Sequence, residues 1–585
     1  MLNVVGLVAP IPTCWRDWDF DCMMCITQLF ELLNNQIHMK IIHVLPYALC
    51  IALTLSSCQQ DSIQPHTSEE TVSGTAAAAP SQYGTYTIQN AAGNLFMEVT
   101  GNIGINEKFK DGTKIVQWSA TSVGDLWQKW QIIYKQTVNS IPYYALMNLH
   151  SGKVLDVPNS ATTNGLQLQQ YRYNGTNAQL WEVRQVTGGY ALINKGNGLA
   201  VTNLNSSTSN GTAIVQQTYS AGAANQRWVL TALAADTYLD DEVTRYFQRN
   251  STSLGSVAWD QGSSIPLTWS GNNGKVLWVT QDAWDGAKLQ TNGMFNCTDF
   301  FDYNNSIIIQ QDKTNWLPDD PNMTINSPMG RPKQICSNQA GTSWSWPGNG
   351  VEIGDKVYMH CGEGNGLNMT NQSIYVLTQS TGTLWTVQRT TPAGMSGQTN
   401  IGYAAGMVKA SDGYVYVYGT QATSFGYLNN VHVARFSTSS PNSWTFWNGS
   451  SWTSTPTTGN GARIAEGKGT VAINYVNGKY VMITMDQGFN CDAPRNIYTA
   501  TSTSPTGPFS TAVEVYQIKD YFQGQYTRYY TPNVHPTFTN GRNELLITYS
   551  VNQSACGVSD CVNGFIDPNY YRIRGLRIPY SKIGL

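Results

Sequence analysis

Residues 144–181 read YALMNLHSGKVLDVPNSATTNGLQLQQYRYNGTNAQLW, a unit that opens on Tyr144 and Asn148 and closes on Gln179-Leu180-Trp181. The same frame stands on either side of it. Upstream, Tyr86 and Asn90 lead to Gln128-Lys129-Trp130; downstream, Tyr190 and Asn194 lead to Gln226-Arg227-Trp228. The closing triplets lie 51 and 47 residues apart. Self-similarity at such a period means that no unit buries its apolar face alone and that the copies share one core. Three copies predict a closed threefold body. In a period-2 strand the Gln and Trp of each triplet point the same way, so the indole fills the core while the amide ties down loop backbone.

The run Tyr-x-Ile/Leu-x-Asn, then Gly, then an apolar-acid-Val step, then Gln-x-Trp resembles the ricin-type β-trefoil lectin over residues 83–232. The resemblance implies sugar binding, with an acid after the Gly accepting sugar hydroxyls and a later aromatic stacking on the pyranose face. Unit two carries Asp156 and Tyr171, followed by Asn177; unit one offers Glu98 and Trp118; unit three has Ala200 and Thr218 at the positions read as equivalent. One good pocket in unit two, a second candidate in unit one and none in unit three are expected. The competing reading is ordinary polar surface on a trefoil.

Only 12% of the 585 residues are charged and the net charge is -3, so no basic field exists to hold nucleic acid. Gly, Tyr and Trp are abundant beside Ser, Thr and Asn, which describes short strands joined by tight turns. Five of the eleven Cys precede residue 59 and six lie in the last half, a number that permits disulfides in an exported chain. Cys556 and Cys561 are the expected local pair.

Met39-Lys40 and the apolar run from Ile41 to Leu55 read as a signal peptide, too short for a comfortable membrane span; an uncleaved anchor is the alternative. The run ends Leu55-Ser56-Ser57-Cys58, which resembles the bacterial lipobox and implies lipidation of Cys58. With Met39 as the start, Cys22-x-x-Cys25 is no redox or zinc motif. Residues 1–58 are therefore upstream segment and signal, and 59–82, rich in Gln, Ser, Thr and Ala, form a flexible tether. The implied address is the bacterial cell envelope or surface, with the membrane contacted through the lipid alone.

Residues 236–585 carry strands of four to six residues separated by Asn-Gly, Asp-Gly and Gly-rich turns, with one short helix expected at Asp240 to Gln248. They group into five sheets. Ile265 to Thr268, Lys275 to Gln281 and Ser306 to Gln310 open the first; Gly350 to Met359, Ser373 to Leu377 and Trp385 to Arg389 form the second. Two further four-stranded groups span residues 404–447 and 470–515, and Val534 to Phe538, Glu544 to Ser550 and Arg572 to Ile578 close the ring. Repetition of this kind predicts a propeller, so the whole chain is expected to be all-β, a β-trefoil followed by a five-bladed β-propeller.

Val471 to Thr484, Ser502-x-Ser504-Pro-x-Gly-Pro-Phe509 and Asn533-x-His535-Pro536 resemble five-bladed propeller glycoside hydrolases, the group with arabinanases, arabinofuranosidases and xylosidases. Trp259-Asp260-x-Gly262 followed by Trp278-x-x-x-Asp282-x-Trp284 is similar to propellers related to endo-D-arabinanases, although those relatives show Gly-Asp-Thr where this chain has Gln281-Asp282-Ala283.

Glycoside hydrolysis uses one protonated and one ionised carboxyl group. Acids at blade starts can face one substrate, and Asp260, expected before the first strand, and Asp282, expected at the end of the next, fit best; Glu466 and Glu363 are alternative proton donors, with Glu352 and Asp486 as third acids. An acid beside Gly at a strand end is also a common turn cap. Trp284, Trp344 and Trp346 are placed in Gly-rich loops, where an indole either stacks on sugar or fills core. His535 could line the axis, donate to a sugar hydroxyl or, more remotely, ligate an axial cation such as calcium; no other cofactor or metal is expected. Gly362-x-Gly364-x-Gly366 is not followed by a helical period, so it is no phosphate loop, and neither an esterase elbow nor a His-Glu-x-x-His pair occurs. The expected protein is a monomeric, lipid-anchored, exported carbohydrate-active protein whose lectin holds a glycan and whose propeller hydrolyses an arabinan-like polysaccharide. The alternative is a non-catalytic glycan-binding surface lipoprotein.

Overall fold

The computed structural model describes residues 84–585 apart from 101–108, 122–124, 300, 326–333, 425–426, 488–492, 519–520, 523–524 and 553–560. The expected signal peptide, Cys58 and the tether lie outside the described residues, as does Cys556.

Twelve strands, four per unit, make one sheet system in the first body. The opening Tyr of each unit pairs with the closing Trp of the same unit, as Tyr86↔Trp130, Tyr144↔Trp181 and Tyr190↔Trp228. The opening Asn pairs with the Trp of the unit before it, as Asn148↔Trp130, Asn194↔Trp181 and Asn90↔Trp228. The repeat is thus the joint of the threefold closure, the β-trefoil. All three indoles are fully buried, and each Nε1 donates to a carbonyl of its own unit, at Met97, Leu155 and Val201, at 2.9–3.0 Å. Each Asn side chain accepts from its own turn and donates back to the preceding unit, as with His150 N and Trp127 O around Asn148. Every buried polar atom of the repeat so placed has a partner, which is what makes its burial tolerable.

The second body is a five-bladed propeller whose inner strands are Ser256–Pro266, Trp344–Ile353, Gly402–Lys409, Val471–Val476 and Arg528–His535. Each lies beside the next and the fifth beside the first. The last blade takes its outermost strand, Tyr238–Asp240, from the start of the domain, with Leu239 opposite Leu576. Both ends of the domain therefore share one sheet, and the ring is closed by backbone hydrogen bonds. The expected helix is present as Asp241–Tyr246, capped by the Asp240 carboxylate on Val243 N at 3.1 Å.

Three sequence expectations need correction. The first inner strand begins at Ser256, so Asp260 sits within it; three register shifts and the positive φ of Gln261 and Gly262 hide it from a period-2 reading. The span read as one strand, Gly350 to Met359, is a hairpin that turns at Gly354-Asp355 and places Trp344 and Trp346 in a strand. The disulfide joins Cys297 to Cys561, 264 residues apart, in place of the expected local pair with Cys556. Ring closure brings insertions of the first and last blades together there, where Phe295–Asn296 pairs with Phe565–Ile566.

The two bodies meet through buried polar contacts. Glu544 accepts from Tyr238 Oη at 2.7 Å and from the trefoil's Gln131 Nε2 at 3.1 Å, while Lys153 Nζ bridges Asp111 at 3.1 Å and Asp241 at 2.8 Å. Gly152 packs so closely that a Cβ there would stand 2.3 Å from Leu239 O.

Candidate functional site

The first blade builds the propeller site. In its inner pair Trp259 faces Ala283 and Gln261 faces Thr280, so the bulges leave Asp260 and Asp282 across from each other. Gly262 permits this backbone: its φ is 129°, and a Cβ would stand 2.3 Å from Ile573 Cδ1. Asp260 is 7% exposed; its Oδ2 accepts from Tyr530 Oη at 2.7 Å, and its buried Oδ1 has no hydrogen-bond partner among the described residues. Burial, and next the Asp282 charge, push its pKa up to about 7 against the opposing pull of Tyr530, Tyr571 and Arg528.

Asp282 is half-buried and differently dressed. Its Oδ1 accepts from Trp346 Nε1 at 3.0 Å and Asn304 Nδ2 at 3.1 Å. Burial raises its pKa too, but those two donors favour the charged form. The pair therefore holds one dry carboxyl with an orphan oxygen beside one carboxylate oriented by two donors. This is the asymmetry that separates a proton donor from a base or nucleophile.

Trp346 stacks on Trp344 with ring centroids 4.0 Å apart and planes 11° from parallel. Gly364 makes room for this platform, since a Cβ there would meet the Trp344 ring at 2.1 Å, and Trp344 Nε1 donates to Gly366 O at 2.6 Å. The glycine run that resembled a phosphate loop is packing space for an indole.

Several expected site residues lie elsewhere. Trp284 is in a strand, 6% exposed and packed on Phe295 and Phe301, so it fills core and offers no stacking face. Glu363 is fully buried in a bidentate pair with Arg389 at 2.6 and 2.7 Å, with Asn371 and Tyr375 added. Burial alone would raise its pKa, yet those partners bring it below the usual value, which suits a structural carboxylate and not a proton donor. Glu466 is exposed beside Arg463, Glu352 caps the Thr268-Trp269 turn, and Asp486 accepts from Asn496 N and Tyr498 Oη. His535 is 1% exposed, with Nδ1 on Ser264 Oγ at 2.7 Å and Nε2 on Thr548 Oγ1 at 2.8 Å. Burial, and then Arg577, drive its pKa down to about 3, so this neutral ring has no nitrogen left for sugar or cation. Among the described residues no three His, Cys, Asp or Glu side chains are grouped to hold a metal. Tyr530, Tyr571, Arg528 and Asn304 were not foreseen; Tyr530 lies 270 residues from Asp260, and no local pattern marks it.

In the trefoil, Asp156 faces Gln169 and Val154 faces Tyr171, which puts Asp156, Gln169 and Tyr171 on one face of a hairpin. Gln169 Nε2 donates to Asp156 Oδ2 at 2.9 Å, and burial raises the Asp156 pKa. The turn Asn177–Gln179 docks on this hairpin through Val157 N to Ala178 O at 3.2 Å, with Asn177 exposed and accepting from Lys195 Nζ. Unit one repeats the arrangement with Glu98 opposite Val116 and Trp118 opposite Phe96, and Gln128 Nε2 donates to Glu98 Oε2 at 2.7 Å. Register corrects unit three: the positions equivalent to Asp156 and Tyr171 are Thr202 and Gln217, not Ala200 and Thr218. The carboxylate and the ring are still missing.

The class is now defined: a two-part all-β protein, a ricin-type β-trefoil lectin domain joined to a five-bladed propeller. Residues 75–171, 126–217 and 177–239 match the ricin-type beta-trefoil lectin domain-like model. Residues 240–575 match the family described as a domain of unknown function (DUF5005), and the chain belongs to that family. No curated protein matches the chain. Among solved structures, it is similar to the designed threefold-symmetric protein ThreeFoil at 32% identity, covering 26% of this chain and 99% of that one, with a TM-score of 0.23. The Rhizoctonia solani agglutinin is 18% identical, over 27% of this chain and 100% of its own, with a TM-score of 0.23. A Macrolepiota procera ricin B-like lectin in complex with lactose is 16% identical, over 26% and 97%, with a TM-score of 0.21.

Proposed function

We propose that this protein is a glycan-degrading surface lipoprotein in which units two and one of the trefoil hold a polysaccharide and the propeller hydrolyses its glycosidic bonds. The observation that carries the hydrolytic reading is the Asp260–Asp282 pair, two facing carboxyls of which one keeps a buried oxygen without a hydrogen-bond partner among the described residues and the other is held by two donors. Asp260 donates its proton from Oδ1 to the leaving glycosidic oxygen as the bond to the anomeric carbon breaks. Asp282 either takes a proton from the attacking water or attacks that carbon itself. Trp346 orients Asp282 and offers the flank of a stacked indole pair to a sugar ring. The Cys297–Cys561 disulfide supports export to an oxidising compartment, consistent with lipidation of Cys58. An arabinan-like chain remains the first substrate to try, on the resemblance of the Trp259-Asp260 region to endo-D-arabinanase relatives.

The test is release of reducing ends from plant arabinans, mycobacterial arabinogalactan and xylans. Turnover on at least one, lost by at least a hundredfold in Asp260→Asn and Asp282→Asn with fold and glycan binding intact, is the expected result. Binding without release across the panel would leave a non-catalytic glycan-binding protein.

A further inference from the structure

Cys336 and Cys361, the free cysteines among the described residues, are both fully buried in one apolar cluster under the second blade. Their surroundings bring them into one neighbourhood. Cys361 and Glu363 are two apart in the strand Lys356–Asn365 and so project from the same face. Tyr375 Oη reaches Glu363 Oε1 and Ser337 O, each at 3.2 Å, which lays the segment carrying Cys336 across that face. Asn305 fixes the same segment: its Oδ1 accepts from Ile335 N and Cys336 N at 2.8 Å, and its Nδ2 donates to Cys336 O at 2.9 Å and Ser345 O at 2.7 Å. After burial itself, Cys336 is the neighbour that acts most strongly on the Cys361 thiol.

We propose that Cys336 and Cys361 are a modification site, a dithiol oxidised to a second disulfide in the exported protein. One thiolate attacks a disulfide oxidant, forming a mixed disulfide and releasing one thiol; the other thiolate then displaces the second half. The pair loses two protons and two electrons, and the oxidant is reduced to two thiols. Burial raises the Cys361 thiol, so exchange belongs to folding or to opening of this segment rather than to the closed blade. The bond ties the segment leading into Trp344 to the middle of the blade, behind the indole pair that orients Asp282. It does not depend on the hydrolytic reading.

The experiment is refolding of the full chain in glutathione disulfide and glutathione until Cys297–Cys561 has re-formed, then alkylation of remaining thiols in denaturant and peptide mapping. The expected result is a Cys336–Cys361 cross-linked peptide, two hydrogen atoms lighter than its parts, as the main form of both residues; in Cys336→Ser, Cys361 is recovered alkylated. Recovery of both residues alkylated in the sample that holds Cys297–Cys561, or of either joined mainly to another cysteine, overturns the proposal.

Discussion

At the residue scale, Asp260 and Tyr530 govern the protonation of the proposed hydrolytic site. A proton donor works only while protonated, so activity should fall as pH rises through about 7, the value to which burial and then Asp282 bring Asp260. Tyr530 donates to the charged form and lowers that value. Removing its hydroxyl in Tyr530→Phe should therefore move the alkaline limb of kcat/KM to higher pH, read from a pH–rate profile, whereas a merely structural role would lower the rate without moving the limb. Asp260 also affects stability: its pKa is higher in the folded chain than in the unfolded one, so the folded state binds the extra proton and loses stability as pH rises from about 4 to about 7. The two catalytic candidates were legible in the sequence as acids near a blade start, but their surroundings were not. Tyr530 and Asn304 reach them only through ring closure and a distant loop. Trp284, an acid's neighbour in a Trp-rich stretch, gives the same sequence signal as Trp346, and only packing separates core from platform. In the lectin, Asp156→Ala and Tyr171→Ala should each weaken glycan binding about tenfold, measured by calorimetric titration, with Thr202→Ala without effect.

Elements carry the stability. In the trefoil each closing Trp fills the common core and donates to its own unit, so Trp181→Ala should cost about 3–5 kcal/mol by chemical denaturation. The threefold pattern was readable because its Tyr, Asn, Gln and Trp recur in register. Within a unit the register slipped, by two residues to Ala200 and by one to Thr218, since unit three lacks the acid and the aromatic that anchor the alignment. In the propeller, strands written as unbroken runs of strand-forming residues around an Asn-Gly turn, such as Val471–Val476 and Lys479–Met485, were found nearly to the residue. Bulges defeat that reading: Ser256–Pro266 loses alternation at Gln261 and Gly262, where the site is built.

At the scale of the whole molecule, trefoil and propeller are joined by more than a linker. The closing strand Tyr238–Asp240 follows the last trefoil strand, Trp228–Leu233, almost at once, and Glu544 and Lys153 are buried between the two bodies. Breaking a buried ion pair by removing one partner costs about 3–5 kcal/mol. Lys153→Met should therefore lower stability by that order, and the intact chain should melt in one calorimetric transition where Lys153→Met shows two. These contacts and the 264-residue disulfide span depend on which distant segments meet, which no local pattern encodes. The account as a whole stands on a carboxyl at the first blade that burial, and next the Asp282 charge, hold up to about 7, and a carboxyl-carbon NMR titration of the aspartate-labelled chain measures that without any substrate. One carboxyl should titrate near 7, vanish in Asp260→Asn and move to lower pH in Asp282→Asn; a spectrum in which every aspartate titrates within the ordinary carboxylate range would contradict it.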